Sequence, residues 1–139
     1  MQKYLLDTNI CIFLLRGMYN VDKKIDAVGL ENCVISEITE AELRYGAALG
    51  QAKGLRRRSQ DLEAFLDAMT IIPISDSINL FAQEKVRLEL AGTPSHDNFD
   101  LLIGCTAIVN DFILVTENIK DFKRLNNIKI ENWINRNNI

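Results

Sequence analysis

The chain is poor in several things, and each scarcity excludes a class of protein. One histidine, His96, among 139 residues rules out any site built on a histidine pair. The three cysteines, Cys11, Cys33 and Cys105, are an odd number, far apart and set among apolar neighbours. They read as buried thiols in a reducing compartment, not as a disulfide framework or a zinc site. Two prolines and seven glycines exclude a collagen-like or low-complexity chain. No run approaches the roughly 18 consecutive apolar residues of a membrane span. The first apolar run, Tyr4–Leu5–Leu6, ends at Asp7, too early for a signal peptide, so a cytoplasmic protein is expected. There is no surplus of positive charge either. Sixteen basic against nineteen acidic residues leave −3, the wrong sign for coating a polyanion by bulk electrostatics.

What is present is an alternation of short apolar runs with helical patterns, at a length that fits one domain spanning residues 1–139. Strands are expected at Lys3–Leu6, Cys33–Ile35, Thr70–Ile74 and Phe112–Val115, with a weaker one at Ile128–Ile130. Pro73 places the third at an edge or a strand end. Between them fall a buried helix stopped by Gly17, an amphipathic helix over Val21–Val28 and a helix over Ile38–Leu49 closed by Gly50. A long helical segment over Ala52–Ala68 follows. Ser75–Asp76 then caps a helix ending near Gly92, and a very apolar helix over Leu101–Val109 is opened by Asp100. Hairpin signals are absent, so the expected architecture is α/β, with a mostly parallel sheet covered on both faces.

In such a sheet, ligands bind beyond the carboxyl ends of the strands. Asp7 stands at one of these ends, and an aspartate after Tyr4–Leu5–Leu6 must be paired, metal-bound or solvated. It also suits the N-cap of the following helix. Glu42 reads either as the far end of a Thr39 capping box or, with Ser36 as the cap, as a glutamate on the inward face shared by Ile38 and Tyr45. Asp100 precedes a buried helix, where a carboxylate also suits the helix dipole. Asp121 lies in a short helical turn, and Asp97 is either a solvated loop acid or an outer ligand. Carboxylates brought together call for a compensating cation. Hard ions such as Mg²⁺ or Mn²⁺ prefer these oxygens, activate water and stabilise charge on a phosphoryl oxygen. That chemistry needs no histidine, and phosphodiester cleavage is its natural use.

The order of these motifs resembles the PIN-domain family, specifically the VapC toxins of type II toxin–antitoxin modules. The residues that carry the resemblance are Leu6–Asp7–Thr8–Asn9, Ser36 through Leu43 with Tyr45–Gly46, and Asp100 through Gly104. Further on they are Leu114–Val115–Thr116 with Asn118, Asp121–Phe122, and Glu131–Asn132–Trp133. The resemblance implies a PIN-domain α/β/α sandwich and an endoribonuclease dependent on Mg²⁺ or Mn²⁺, cleaving RNA, with tRNA the expected class, through a metal-activated water. It implies catalytic acids at Asp7, Glu42, Asp100 and Asp121, with Asp7 and Asp100 ligating the metal. Asn9 (or Thr8), Thr116 and Asn118 are implied as supporting polar groups. A homodimer and a VapB-type antitoxin are implied as partners, with no membrane association. Many relatives carry aspartate where Asn118 stands.

Arg56, Arg57 and Lys120, with Lys123 and Arg124 nearby, are candidate RNA contacts or, alternatively, solvated helix faces. Trp133 reads as a core anchor. The alternative function is a catalytically silent PIN-like module that binds RNA or protein. A phosphatase using Asp7 as nucleophile is rejected, because Asn9 occupies the place of the second aspartate that such enzymes need.

Overall fold

Adjacent residues of a strand point to opposite faces, so Leu5–Leu6, Val34–Ile35 and Leu114–Val115 demand cover on both sides of a sheet. The computed structural model, which describes residues 1–55 and 57–137, meets that demand with a five-stranded, wholly parallel sheet between two helical layers. The strands are β1 (Tyr4–Leu6), β2 (Cys33–Ser36), β3 (Thr70–Ile72), β4 (Ile113–Val115) and β5 (Lys129–Glu131). The helices are α1 (Thr8–Leu15), α2 (Val21–Val28), α3 (Glu37–Ala52), α4 (Arg57–Ala68), α5 (Ile78–Leu90), α6 (Asn98–Val109) and α7 (Ile119–Phe122). Leu6, Ile35 and Val115 pack with Ile10, Cys11, Ile25, Leu43, Leu66 and Trp133 on one face. Leu5, Val34 and Leu114 pack with Leu88, Leu101, Ile103, Cys105 and Phe122 on the other. All three cysteines are buried free thiols, and Trp133 is a core residue, as expected. Among the described residues no helix is long and apolar enough to cross a membrane.

The strand order β3-β2-β1-β4-β5 matters most for function. The chain winds outward from β1 to β3, then returns to the other side of β1 with β4. A crevice therefore opens between the carboxyl ends of β1 and β4, the place where such sheets bind ligands. Register pairs Leu6 with Val115, so Asp7 and Thr116 leave the sheet side by side. The ladder continues one step past the strands, Asp7 N–H donating to Val115 O at 3.0 Å and Thr116 N–H to Glu131 O at 3.0 Å.

Four local expectations are corrected. Gly50 does not stop α3. The helix runs to Ala52, and Gly54, at φ +85°, closes it, with Leu55 N–H donating to Gly50 O at 2.8 Å and Gly54 N–H to Gln51 O at 3.0 Å. This is the Schellman closure, which needs a left-handed residue that glycine adopts without strain; it splits the expected 52–68 segment, so α4 begins only at Arg57. Second, α6 begins at Asn98 and not at Leu101, because Asp97 is its N-cap, accepting from Phe99 N–H at 2.9 Å and Asp100 N–H at 3.1 Å. Third, Ser75–Asp76 caps nothing: it lies in a 3₁₀ turn before α5, which has no side-chain cap. The buried Ser77 instead ties α5 to α6, its hydroxyl donating to Thr106 Oγ1 at 3.2 Å. Fourth, Tyr45 is exposed and does not share the inward face with Ile38. The cap of α3 is Ser36, accepting from Ile38 N–H at 3.0 Å, which leaves Glu42 outside any capping box.

Gly104 lets α6 approach the α7 region. A Cβ there would collide with Cδ1 of Leu125 and stand 3.2 Å from Cδ1 of Phe122. Gly104→Val is expected to lower stability by about 1–3 kcal/mol through overpacking, read from urea unfolding. An unchanged midpoint would show that Leu125 has room to move aside.

Candidate active site

The crevice is built outward from Asp7. The residue is only 6% exposed, and both carboxylate oxygens are occupied. Oδ1 accepts from Thr8 N–H at 2.8 Å as the N-cap of α1, and Oδ2 accepts from the buried Thr116 hydroxyl at 2.8 Å. Thr116 is itself held, since its Oγ1 accepts from Asn118 N–H at 3.0 Å. Burial still pushes the Asp7 carboxyl above its ordinary range; the Thr116 hydroxyl and the Thr8 N–H oppose that rise, and the charge of Asp97 adds to it.

Glu42 enters from α3, one helical turn after Thr39. The Thr8 hydroxyl donates to Glu42 Oε1 at 2.6 Å and lies 3.0 Å from Thr39 Oγ1. Because the Thr8 proton goes to the carboxylate, the fully buried Thr39 supplies the donor of the second bond. Thr8 thus links the two acids, its backbone to Asp7 and its side chain to Glu42. Burial raises the Glu42 carboxyl, the Thr8 hydroxyl opposes, and the charges of Asp7 and Asp97 add to the rise.

Asp100, in the first turn of α6, has no side-chain hydrogen bond to another of the described residues. Its carboxyl is pushed up to about 7, first by burial and then by Asp7, Asp97, Glu42 and Asp121 in that order. Asp121 is exposed on α7, and its charge reaches Asp100. Asp97 is exposed as well, yet its charge acts on Asp7, Glu42 and Asp100 alike.

The acids therefore share one electrostatic neighbourhood, but they do not form a cage. Among the described residues no three carboxylate, imidazole or thiol groups converge tightly enough to enclose a metal ion. The donors are oxygens throughout, as a hard divalent cation prefers, and Mg²⁺ commonly takes only one or two carboxylates while keeping its waters. The donor chemistry and the uncompensated negative charge fit such an ion.

The supporting residues divide. Thr116 contacts Asp7 directly, while Asn118 contributes through its backbone N–H. Asn9 is exposed and makes no side-chain hydrogen bond among the described residues; Thr8 occupies the linking position instead. Thr39 was legible only as a capping-box residue, although its one-turn spacing from Glu42 carried the signal. Lys120 is exposed on α7, whereas Arg56 and the side chain of Arg57 lie outside the described residues.

A parallel α/β/α sandwich with acids at the β1/β4 switch point defines a class, and a PIN domain family model matches residues 4–128. The chain belongs to the PIN-domain family. Within it the chain falls among the VapC ribonucleases. It is 36% identical to Ribonuclease VapC2 of Rickettsia felis over 136 residues, covering 94% of this chain and 97% of that protein. It is 31% identical to the tRNA(fMet)-specific endonuclease VapC of Salmonella typhimurium over 135 residues, covering 96% and 99%. Among solved structures it is similar to VapBC2 from Rickettsia felis bound to a DNA fragment from their promoter. That match has a TM-score of 0.83 at 33% identity, covering 95% of this chain and 99% of that one.

A carboxyl with a raised folded-state pKa binds more protons in the native state between its unfolded and folded values, so stability falls as pH rises through that interval. For Asp100 the interval runs from about 3.9 to about 7. The Arg87 partnership that lowers the Glu84 carboxyl acts below that carboxyl's ordinary range, outside the upper part of this window. In EDTA, melting is therefore expected at a higher temperature near pH ~5.5 than near pH ~7.5. Asp100→Asn is expected to raise Tm at the higher pH and flatten the slope. Parallel Tm profiles for the two proteins would contradict it.

Proposed function

We propose that the protein is the toxin of a type II toxin–antitoxin module, a Mg²⁺- or Mn²⁺-dependent endoribonuclease with tRNA as its substrate class. The observation that carries this reading is the linked pair of acids at the switch point. Thr116 and Thr8 hold Asp7, Thr8 holds Glu42, and Asp100 is left with a carboxyl raised to about 7 that a cation would bring down. Asp7 and Asp100 would hold the ion, with Glu42 and Asp121 completing the pocket directly or through water. Once bound, a divalent ion supplies Lewis-acid charge and a more acidic water.

The chain's own part is positional. Thr116 holds Oδ2 of Asp7 in place, and Thr8 gives Glu42 a donor on Oε1 and leaves Oε2 to orient a water or accept its proton. In-line attack of water on the phosphodiester leaves a 5′-phosphate and a 3′-hydroxyl. With His96 exposed in a loop and no second histidine, no imidazole pair is present to run the alternative attack by a ribose 2′-hydroxyl. Lys120, on the same short helix as Asp121, would contact RNA beside the acids.

The partner reading follows from likeness to VapBC complexes: a VapB-type antitoxin, in the cytoplasm, bound by a toxin homodimer. A groove lined by Ile12, Leu15, Leu43, Ala47 and Leu62, with Arg16, Glu42 and Asp61 as its charged members, suits an antitoxin segment. An antitoxin arginine reaching Glu42 or Asp7 would compensate the same negative charge as the metal. Ile78, Val86, Leu90 and Phe99, left exposed on α5 and α6, suit burial against a second copy. Residues 1–139 act as one domain in this reading.

The test is cleavage of purified tRNA and bulk RNA by the wild type with Mg²⁺, Mn²⁺ or EDTA, beside Asp7→Asn. Metal-dependent cuts that vanish in the variant are expected, with 5′-phosphate ends. Products ending in 2′,3′-cyclic phosphate would refute the mechanism. A folded, metal-binding protein that cuts no RNA would favour the silent binding module. Thr8→Val keeps shape but removes the Glu42 donor; it is expected to lower kcat by roughly 10–100-fold with KM little changed. A rate within twofold of wild type would show that Glu42 needs no such support.

A further inference from the structure

Most described arginine side chains are neutralised. Arg44 pairs with Glu40 at 2.9 Å and Glu63 at 2.5 Å, Arg87 with Glu84 at 2.6 Å, and Arg136 with Glu117 at 2.5 Å. Arg124 differs. Its Nε donates to Asp121 O at 3.1 Å, and its Nη1 donates to Thr93 O at 2.8 Å and Pro94 O at 3.3 Å. These acceptors are backbone carbonyls, and no carboxylate pairs with this guanidinium among the described residues. Its charge is thus held in place but not cancelled, and Nη2 makes no bond to a described residue.

The backbone that carries Arg124 is fixed as well. The buried Glu84 accepts two bonds from Arg87 and one from Asn126 N–H at 3.0 Å, while Arg87 Nη2 donates to Arg124 O at 2.8 Å. Arg124 lines a cavity of about 180 Å³ together with Asp97, Asp100 and Asp121, so it borders the site described above. In that wall the aspartates repel a polyanion. Arg124 is the one permanent cation among the cavity's lining residues.

We propose that Arg124 is a substrate-binding residue of this nuclease, receiving an RNA phosphate that flanks the scissile one. The inference rests on the ribonuclease reading and extends it to a subsite. An arginine already ordered by neutral carbonyls loses little further side-chain freedom on binding, and its unused N–H groups match phosphate oxygens. The same bonds to Thr93 and Pro94 steady the loop leading to Asp97, so the residue also bears on where the acids stand.

A structural role and a phosphate contact separate by salt. Binding of a fluorescently labelled tRNA would be measured by anisotropy in Ca²⁺, from about 50 to about 300 mM KCl, for wild type, Arg124→Gln and Arg124→Lys. Lys129→Gln, which breaks the pair with Asp111 at the opposite end of the sheet, controls for simple charge loss. Arg124→Gln is expected to weaken binding by about tenfold at the lowest salt and to reduce the slope of log Kd against log salt by about 0.7–0.9. Arg124→Lys and Lys129→Gln are expected to keep the wild-type slope. A wild-type slope in Arg124→Gln, whatever its Tm, would overturn the proposal, as would equal slope losses in Arg124→Gln and Lys129→Gln. Cleavage in Mg²⁺ is followed in parallel. Wild type that binds tRNA but cuts no RNA refutes the nuclease reading, whereas cleavage with an unmoved slope in Arg124→Gln refutes only the subsite.

Discussion

The hydrogen bond from the Thr116 hydroxyl to the Asp7 carboxylate is the contact on which the carboxyl end of the sheet depends. A carboxylate as buried as Asp7 is costly unless its lone pairs are satisfied. Satisfying them fixes three things at once. Asp7 caps α1, Thr116 follows directly on β4, and their meeting requires Leu6 opposite Val115 in the parallel ladder. A slip of one residue would turn Thr116 to the other face and leave Oδ2 of Asp7 without its donor. The same residue therefore sets the strand register and anchors the chemistry.

From that anchor the site spreads by short links. Thr8 connects Asp7 to Glu42, Thr39 backs Thr8, and Asn118 N–H holds Thr116. Asp100 stands outside this web of bonds, and burial with the surrounding like charges pushes its carboxyl up to about 7. A fold selected for stability alone would not keep burial and four like charges around one carboxyl. The arrangement makes sense as a receptor for positive charge, whether a metal ion during turnover or an arginine from an inhibitory partner.

A second network lies on the α5–α7 side and is compensated where the first is not. Glu84 is almost fully buried, but Arg87 and Asn126 N–H saturate it, and its carboxyl is held below the ordinary range. It ties α5 to the backbone of Arg124 and Asn126, just after α7. One buried acid is thus neutral in effect and structural, while the acids of the crevice stay electrostatically open. Glu84 and Asp7 are equally shielded from solvent, so what divides those two is the arginine partner that only Glu84 has.

Much of the fold was legible locally. Apolar pairs in each strand require two covered faces, and with no hairpin signals that requires a parallel α/β sheet; Pro73 correctly marks an edge, and Ser36 a cap. The misreadings were also local. Gly50 and Gly54 both offer a stop for α3, and only the carbonyls available at Gly50 and Gln51 choose between them. Asp97 and Asp100 both offer a start for α6, and the N–H groups of Phe99 and Asp100 select Asp97. The sequence by itself determined the layered architecture and the acids at strand and helix ends, because those follow from periodicity and residue chemistry, while the order of its motifs carried the resemblance to the family. Only the tertiary structure decided that Thr8 and not Asn9 links Asp7 to Glu42, that Asp97 joins their field, and that Arg124 faces it unpaired. Each of these depends on which strand lies beside which, a choice made by long-range pairing and crossover connections that no local spacing encodes.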